Sequence, residues 1–222
     1  IDYGAGRLPV DGDAPTLIVV AVSPDSTAQV VREELAAFPG ALVTDVASVK
    51  AAILAELIAG GADTARYLGS HPMAGRERTG AMSARADLFL GRPWVVAPHA
   101  NTTVEQERAI EDLALDLGAA PVRLAPDEHD RAVAIISHVP QVVASLLAAR
   151  LLGAPESATA LAGQGLRDTT RIAASDPELW VQILSANAMP VAAALRAYRE
   201  DLDRLVDALD APTAPGAPTR IA

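Results

Sequence analysis

The chain has 222 residues, 50% of them hydrophobic, no cysteine and a formal net charge of -10, a length that suits one or two domains and allows a sizeable core. The acidic balance argues against a nucleic-acid partner and means that an anionic substrate must be met by locally placed arginines. No run approaches the roughly 18 uninterrupted apolar residues that span a bilayer, so no membrane partner is expected, and the lack of cysteine removes disulfides and thiolate metal sites and fits a cytoplasmic location.

The opening Ile1-Asp2-Tyr3-Gly4-Ala5-Gly6 carries two glycines, but no strand precedes them and Pro9 stands where a helix should run, so it does not read as a dinucleotide fingerprint. Residues 17–22 are a continuous apolar, β-branched run, as a strand buried on both faces of a parallel sheet requires. Ala21-Val22-Ser23-Pro24 ends it, and a helix follows to about Phe38, before Pro39-Gly40. A second strand, 42–45, leads into a helix over 49–58 that Gly60-Gly61 closes. Strands are expected again at 67–69, at 94–97 and at 121–124, with a helix over 104–117 before the last. Strands alternating with helices predict an α/β domain with a doubly wound, Rossmann-like parallel sheet over residues 1–125, whose ligands bind at the carboxyl ends of the strands. Such a domain normally begins with a strand, a Gly-rich turn and a helix, and the given sequence starts later than that. The expectation is therefore a domain incomplete at its N-terminus, a protein without a pyrophosphate site being the alternative.

After Pro126 the pattern is helical, which predicts a second, all-helical domain over 126–210 and a disordered Pro- and Ala-rich tail over 211–222. Residues 127–152 read as one long helix, with a kink expected at Pro140. Asp130, Ala134, Ser137, His138, Gln141 and Ser145 share about a third of its circumference, and the rest is apolar. That predicts a helix buried nearly all round, its small stripe forming the wall of a polar pocket. Residues 161–174 predict a helix with Arg167 and Arg171 on one face; Ser175-Asp176-Pro177-Glu178 starts another, and Asn187 and Pro190 start the last. In that last helix Val191, Leu195, Tyr198, Leu202, Leu205 and Leu209 step by four and three, a seam for a partner helix. So small a helical domain cannot cover all this apolar surface alone, which predicts a homodimer.

The stretch Ser70-His71-Pro72-Met73-Ala74-Gly75-Arg76-Glu77 follows a short apolar run and reads as a strand end opening into a loop. A histidine held there is a natural general base. Around it stand Thr44-Asp45-Val46-Ala47-Ser48-Val49-Lys50, then Leu88-Phe89-Leu90-Gly91-Arg92-Pro93-Trp94 up to Pro98, then His129-Asp130, then Ser137-His138-Val139-Pro140. Five motifs in this order, across roughly residues 17 to 200, resemble the prephenate and arogenate dehydrogenases of tyrosine biosynthesis.

The resemblance implies NAD- or NADP-dependent oxidative decarboxylation of prephenate or arogenate: a ring carbinol loses hydride to nicotinamide, and loss of the ring carboxylate makes the ring aromatic. It implies His71 as the base with Ser48 beside it, Arg171 as the substrate's carboxylate partner, and Ala21, Val22, Ser23 and Pro24, with Thr44, around the cofactor. His138, Gln141 and Glu77 are expected near the substrate. Gln141 stands where many relatives have a second histidine; an amide cannot become a cation, which leans slightly towards the amino-acid side chain of arogenate. His129 and Asp130 read as structural, tying the start of the long helix to the sheet domain, and His99 has no motif around it. The competing reading is a catalytically silent dimeric relative that serves as an interaction module.

Overall fold

The computed structural model of the protein describes residues 14–75 and 84–213, with residues 216 and 219 beyond them. Glu77, the opening glycines and most of the tail fall outside the described residues. The chain forms two compact units, Ile1–His129 and Asp130–Ala222.

In the first unit the apolar run becomes β1 (Leu17–Val20), followed by α1 (Pro24–Ala37), β2 (Leu42–Asp45), α2 (Ala51–Ala59), β3 (Gly69–Pro72), β4 (Pro93–Ala97), α3 (Val104–Asp116) and β5 (Ala120–Arg123). β1 and β2 pair in parallel with Leu17 opposite Leu42, and Tyr67 adds a parallel bridge to Val43. β4 and β5 are also parallel, as the intervening α3 crossover requires. β3 and β4 run antiparallel, with His71 opposite Val95, which corrects the expectation that every pair would be parallel. The reason is the connection: among the described residues no helix lies between β3 and β4, and a parallel pair needs a crossover. The β3 strand also runs further than expected, so His71 sits within it and not in the loop beyond.

Val31, Val43, Val49, Leu57, Leu68, Val96 and Ile110 are fully buried between strands and helices, but Val19 of β1 is 44% exposed and Val22 is exposed after it, which corrects the expectation that this strand is buried on both faces. The Leu-Phe-x-Gly segment has a structural account. Phe89 packs against Trp94 at 5.2 Å, and Gly91 takes a positive φ of 68° while its N–H donates to Gly118 O at 2.7 Å, seating the start of β4 beside the end of α3.

The second unit follows the first within α4 (Pro126–Val133), which continues through a π-helical turn (Ala134–His138) into α5 (Val139–Leu151). The disturbance expected at Pro140 is thus a widened turn just before it, where Val139 N–H donates to Ala134 O. Four short helical pieces follow: α6 (Glu156–Thr159), α7 (Gln164–Thr170), a 3-10 turn (Arg171–Ala174) and α8 (Pro177–Ala186); the last helix is α9 (Ala188–Asp210). The long helix is not buried nearly all round, as its sequence led one to expect. Its polar stripe is inside, with Asp130, His138 and Gln141 buried, while Ile135 and Ile136 are 65% exposed and Leu146 is 61% exposed. By length and composition alone the stretch Pro126–Leu151 is apolar enough to cross a membrane, a test that buried core helices also pass. The seam on α9 is likewise outward over its C-terminal half, at Tyr198, Leu202 and Leu209.

What holds the functional strand ends together is a buried carboxylate. Asp45, at the end of β2, accepts from Lys50 Nζ and from Ala47 N–H at 2.9 Å on one oxygen, and from Tyr67 OH at 2.6 Å on the other. Lys50 is 1% exposed and Asp45 is fully buried. A Cβ on Gly69 would meet Tyr67 OH at 2.9 Å and the Asp45 carboxylate at 3.2 Å, so the absence of a side chain there makes room for the cluster. Replacing Lys50 by Met leaves Asp45 buried without its cation, and the expected loss of stability is about 3–5 kcal/mol. Urea unfolding measures it; Asp45→Asn added to Lys50→Met should recover part of the loss, and a Lys50→Met midpoint equal to the parent's would refute the account.

Candidate active site

β3 delivers His71 through two constraints. Its backbone is paired with β4 on one side, and on the other Ser70 Oγ donates to Asp45 O at 2.9 Å while Thr44 Oγ1 donates to Ser70 Oγ at 3.1 Å. The imidazole then meets a second one: His71 Nδ1 lies 2.8 Å from His129 Nε2, with the rings edge-on at 74°. His129 is fully buried. It was expected to be only a structural tie, and the signal that could have found it was its own motif, since His71 and His129 are 58 positions apart in sequence. His99, with no motif, has a structural place: its Nε2 is 2.8 Å from Tyr67 O and its Nδ1 accepts from Asn101 N–H at 3.3 Å.

Ser48 is half-buried in the turn after β2 that the Asp45 carboxylate holds. Ala21, Val22 and Ser23 form an exposed turn at the carboxyl end of β1, and Pro24 begins α1. Ser23 caps α1 by backbone geometry without a side-chain hydrogen bond to it. Thr44, expected around the cofactor, is fully buried with its hydroxyl directed to Ser70, so its side chain supports the strand ends from within. Beyond β3 a cleft of about 340 Å³ is lined by Met73, Gly75, Arg85, Asp87 and Arg92, where Arg85 pairs with Asp87 through Nε at 2.7 Å. That pairing raises the pKa of Arg85, first through the hydrogen bond and then through the charge of Asp87. Among the described residues no group of three or more His, Asp or Glu side chains could hold a metal ion.

The second unit holds the remaining candidates. His138 is buried, 5.9 Å edge-on from Trp180, and its Nδ1 lies 3.1 Å from Asn187 Nδ2. The same Asn187 nitrogen donates to Asp130 O at 2.8 Å. A carbonyl only accepts, so the amide nitrogen must face both groups; His138 Nδ1 is then the acceptor and a neutral ring carries its proton on Nε2. Sequence reasoning saw Asn187 only as a helix start. Gln141 is buried, and its amide donates to Ile172 O at 3.0 Å and to Ser145 Oγ at 3.4 Å. It therefore holds the turn that begins with Arg171. Arg171 itself is exposed at the start of that turn. A cleft of about 330 Å³, mostly apolar, lies beside it, lined by Gln141, Ser145, Ala173, Ser175, Trp180 and Leu184.

Comparison with known proteins places this geometry. Residues 12–123 match the nucleotide-binding domain of prephenate dehydrogenase and residues 125–215 its dimerization domain. The probable prephenate dehydrogenase NovF of Streptomyces niveus is 37% identical over 93% of this chain and 57% of its own length. The prephenate dehydrogenase of Bacillus subtilis is 30% identical over 80% of this chain and 50% of its own. The chain thus spans about half the length of the curated relatives it matches. Among solved structures, Synechocystis arogenate dehydrogenase superposes with a TM-score of 0.79 at 30% identity, covering 93% of this chain and 75% of that one. The prephenate dehydrogenase of Aquifex aeolicus, solved with hydroxyphenyl propionate and NAD+, gives 0.85 at 24% identity over 94% of this chain and 73% of that one, which shows a shared fold. With a Rossmann-like nucleotide-binding domain matched over just more than half of its residues and a helical dimerization domain over most of the rest, the chain belongs to the prephenate dehydrogenase family.

Proposed function

We propose that this protein catalyses the oxidative decarboxylation of prephenate or arogenate, with NAD or NADP as hydride acceptor, as a cytoplasmic homodimer in tyrosine biosynthesis. Residues 1–125 form the nucleotide-binding domain and 126–210 the dimerisation domain. The observation that carries the reading is His71, held on β3 next to the Asp45 cluster that also fixes the turn of Ser48. His71 takes the proton of the ring hydroxyl as the carbinol is oxidised, and Ser48 hydrogen-bonds beside it. Loss of the ring carboxylate as carbon dioxide then makes the ring aromatic.

A nicotinamide dinucleotide, when bound, supplies the acceptor for the hydride. The exposed turn at Ala21, Val22, Ser23 and Pro24 fits it: it lies at the carboxyl end of β1, it offers the amino end of α1 to an anion, and the Ser23 hydroxyl makes no cap bond with the helix. The substrate's carboxylates need cations, because a carboxylate taken out of water unpaired is costly. Arg171 meets one of them, its turn held by the Gln141 amide, and a planar guanidinium suits a carboxylate's two oxygens. Glu77 and His138 complete the substrate side.

His71→Asn in the full-length enzyme should lower kcat by roughly 10²–10⁴-fold with KM within a few-fold, since a base acts mainly in the transition state. Unchanged turnover, followed as nicotinamide absorbance, would remove His71 from the mechanism. Arg171→Ala should instead raise KM by about ten- to a hundred-fold, the loss of a charged hydrogen-bonding partner; a variant that merely unfolds would show Arg171 to be structural.

The homodimer reading rests on the match to a dimerization domain together with the outward apolar faces of the long helix and of α9. Leu202→Glu with Leu205→Glu would set carboxylates into the α9 seam. Sedimentation should then show dissociation accompanied by a lower melting temperature. A stable folded monomer of the parent protein at micromolar concentration would end the reading.

A further inference from the structure

The histidine pair on the first unit has a direction, and the chemistry of a base decides it. His71 Nδ1 is 2.8 Å from His129 Nε2, a distance at which one nitrogen must donate and the other accept. With Nδ1 committed to this bond, a substrate hydroxyl must be met by Nε2 of His71. A base needs a lone pair on the atom that receives the proton, so Nε2 must be bare in the resting enzyme and Nδ1 must carry the ring's proton. His129 Nε2 is then the acceptor, and the proton of His129 resides on Nδ1. We propose that His129 is a positioning residue that locks His71 in its Nδ1–H tautomer, so that Nε2 is the base. The proposal rests on the assignment of His71 as the base.

The fold holds the two rings to this geometry through one strand. Val96 of β4, fully buried, stands opposite Ser70, the neighbour of His71, and its carbonyl accepts from Leu124 N–H at 3.1 Å just before α4. The first turn of α4 is fixed in its turn by His129 N–H donating to Ala125 O at 2.9 Å and by Glu128 Oε2 accepting from Ala125 N–H at 3.2 Å. Both histidines are thus referred to the same backbone position. In the reaction the substrate's O–H bond breaks and an N–H bond forms at His71 Nε2, while the carbinol's hydride leaves with its electron pair to the nicotinamide. His71 becomes an imidazolium whose Nδ1–H is still accepted by His129, so the ring keeps its orientation while it is charged. Were His129 to donate instead, a neutral His71 would hold its proton on Nε2 and present a donor where a base is required.

Nitrogen NMR of the ring signals in full-length protein labelled at histidine reads the tautomer directly, apart from any assay. The expected spectrum has a protonated Nδ1 and an unprotonated Nε2 for His71, with the reverse proton position ruled out. His129→Phe removes the acceptor; it should shift His71 towards the other tautomer and lower kcat by roughly tenfold or more, with KM within about threefold. His129→Gln returns an oxygen acceptor near the place of Nε2 and should restore both the Nδ1–H signature and most of kcat. A wild-type His71 with its proton on Nε2, or a His129→Phe enzyme with undiminished kcat, overturns the proposal. If His129→Phe does not fold, the wild-type spectrum alone decides. The His71→Asn assay is separate: it tests the base, whereas the spectrum tests which nitrogen is bare.

Discussion

Taking a carboxylate out of water costs several kcal/mol unless its oxygens are met by donors, and Asp45 satisfies that condition with a lysine, a tyrosine hydroxyl and a backbone amide. Two donors follow Asp45 in the chain and the third comes from the approach to β3, so satisfying one charge fixes the turn after β2, the start of α2 and β3 relative to each other. Lys50 fixes the start of α2, Ala47 the turn that presents Ser48, and Tyr67 the approach to β3. Thr44 and Ser70 add a second tie between the same strands just beside the first. The Thr-Asp-x-x-Ser-x-Lys stretch is in this sense a structural device that carries Ser48, the residue proposed to act beside His71.

β4 is the second organising element. It pairs antiparallel with β3 and parallel with β5, and its Trp94, Val95, Val96 and Ala97 are all buried. Because Val96 serves both β3 and the lead into α4, residues far apart in sequence reach hydrogen-bond distance as a consequence of backbone pairing. A pair of imidazoles held in this way differs from a surface contact: its geometry is set by strands before the side chains choose rotamers.

The helical unit follows a different rule. Its long helix turns the polar stripe inward, where Asn187 meets both Asp130 O and His138, and where Gln141 meets Ile172 O. Buried polar groups must be hydrogen-bonded, and here they bond to each other and to backbone. The apolar residues left outside, Ile135, Ile136 and Leu146 among them, are then a surface whose burial needs something beyond one copy of this chain.

Much of this was legible in the sequence. Alternation of apolar runs and amphipathic stretches located the strands and helices of the first domain, because burial on both faces and helical periodicity leave local marks. The order of motifs pointed to the family that the matched domains establish, and His71 was recognisable as a histidine held at a strand end. Other features depended on contacts that no local pattern encodes. The antiparallel pairing of β3 with β4 followed from the lack of an intervening crossover helix; the burial of Thr44 followed from a hydroxyl partner 26 positions away. The stripe on the long helix was readable as the wall of a polar pocket, but which apolar residues around it stay outside was not, since a single helix has the same pattern whichever face finds a neighbour. The bond between His71 and His129 was the least accessible of all: the sequence determined that both imidazoles exist, and only the tertiary pairing through β4 decided that they meet, because side-chain geometry across 58 positions is set by the backbone folded between them.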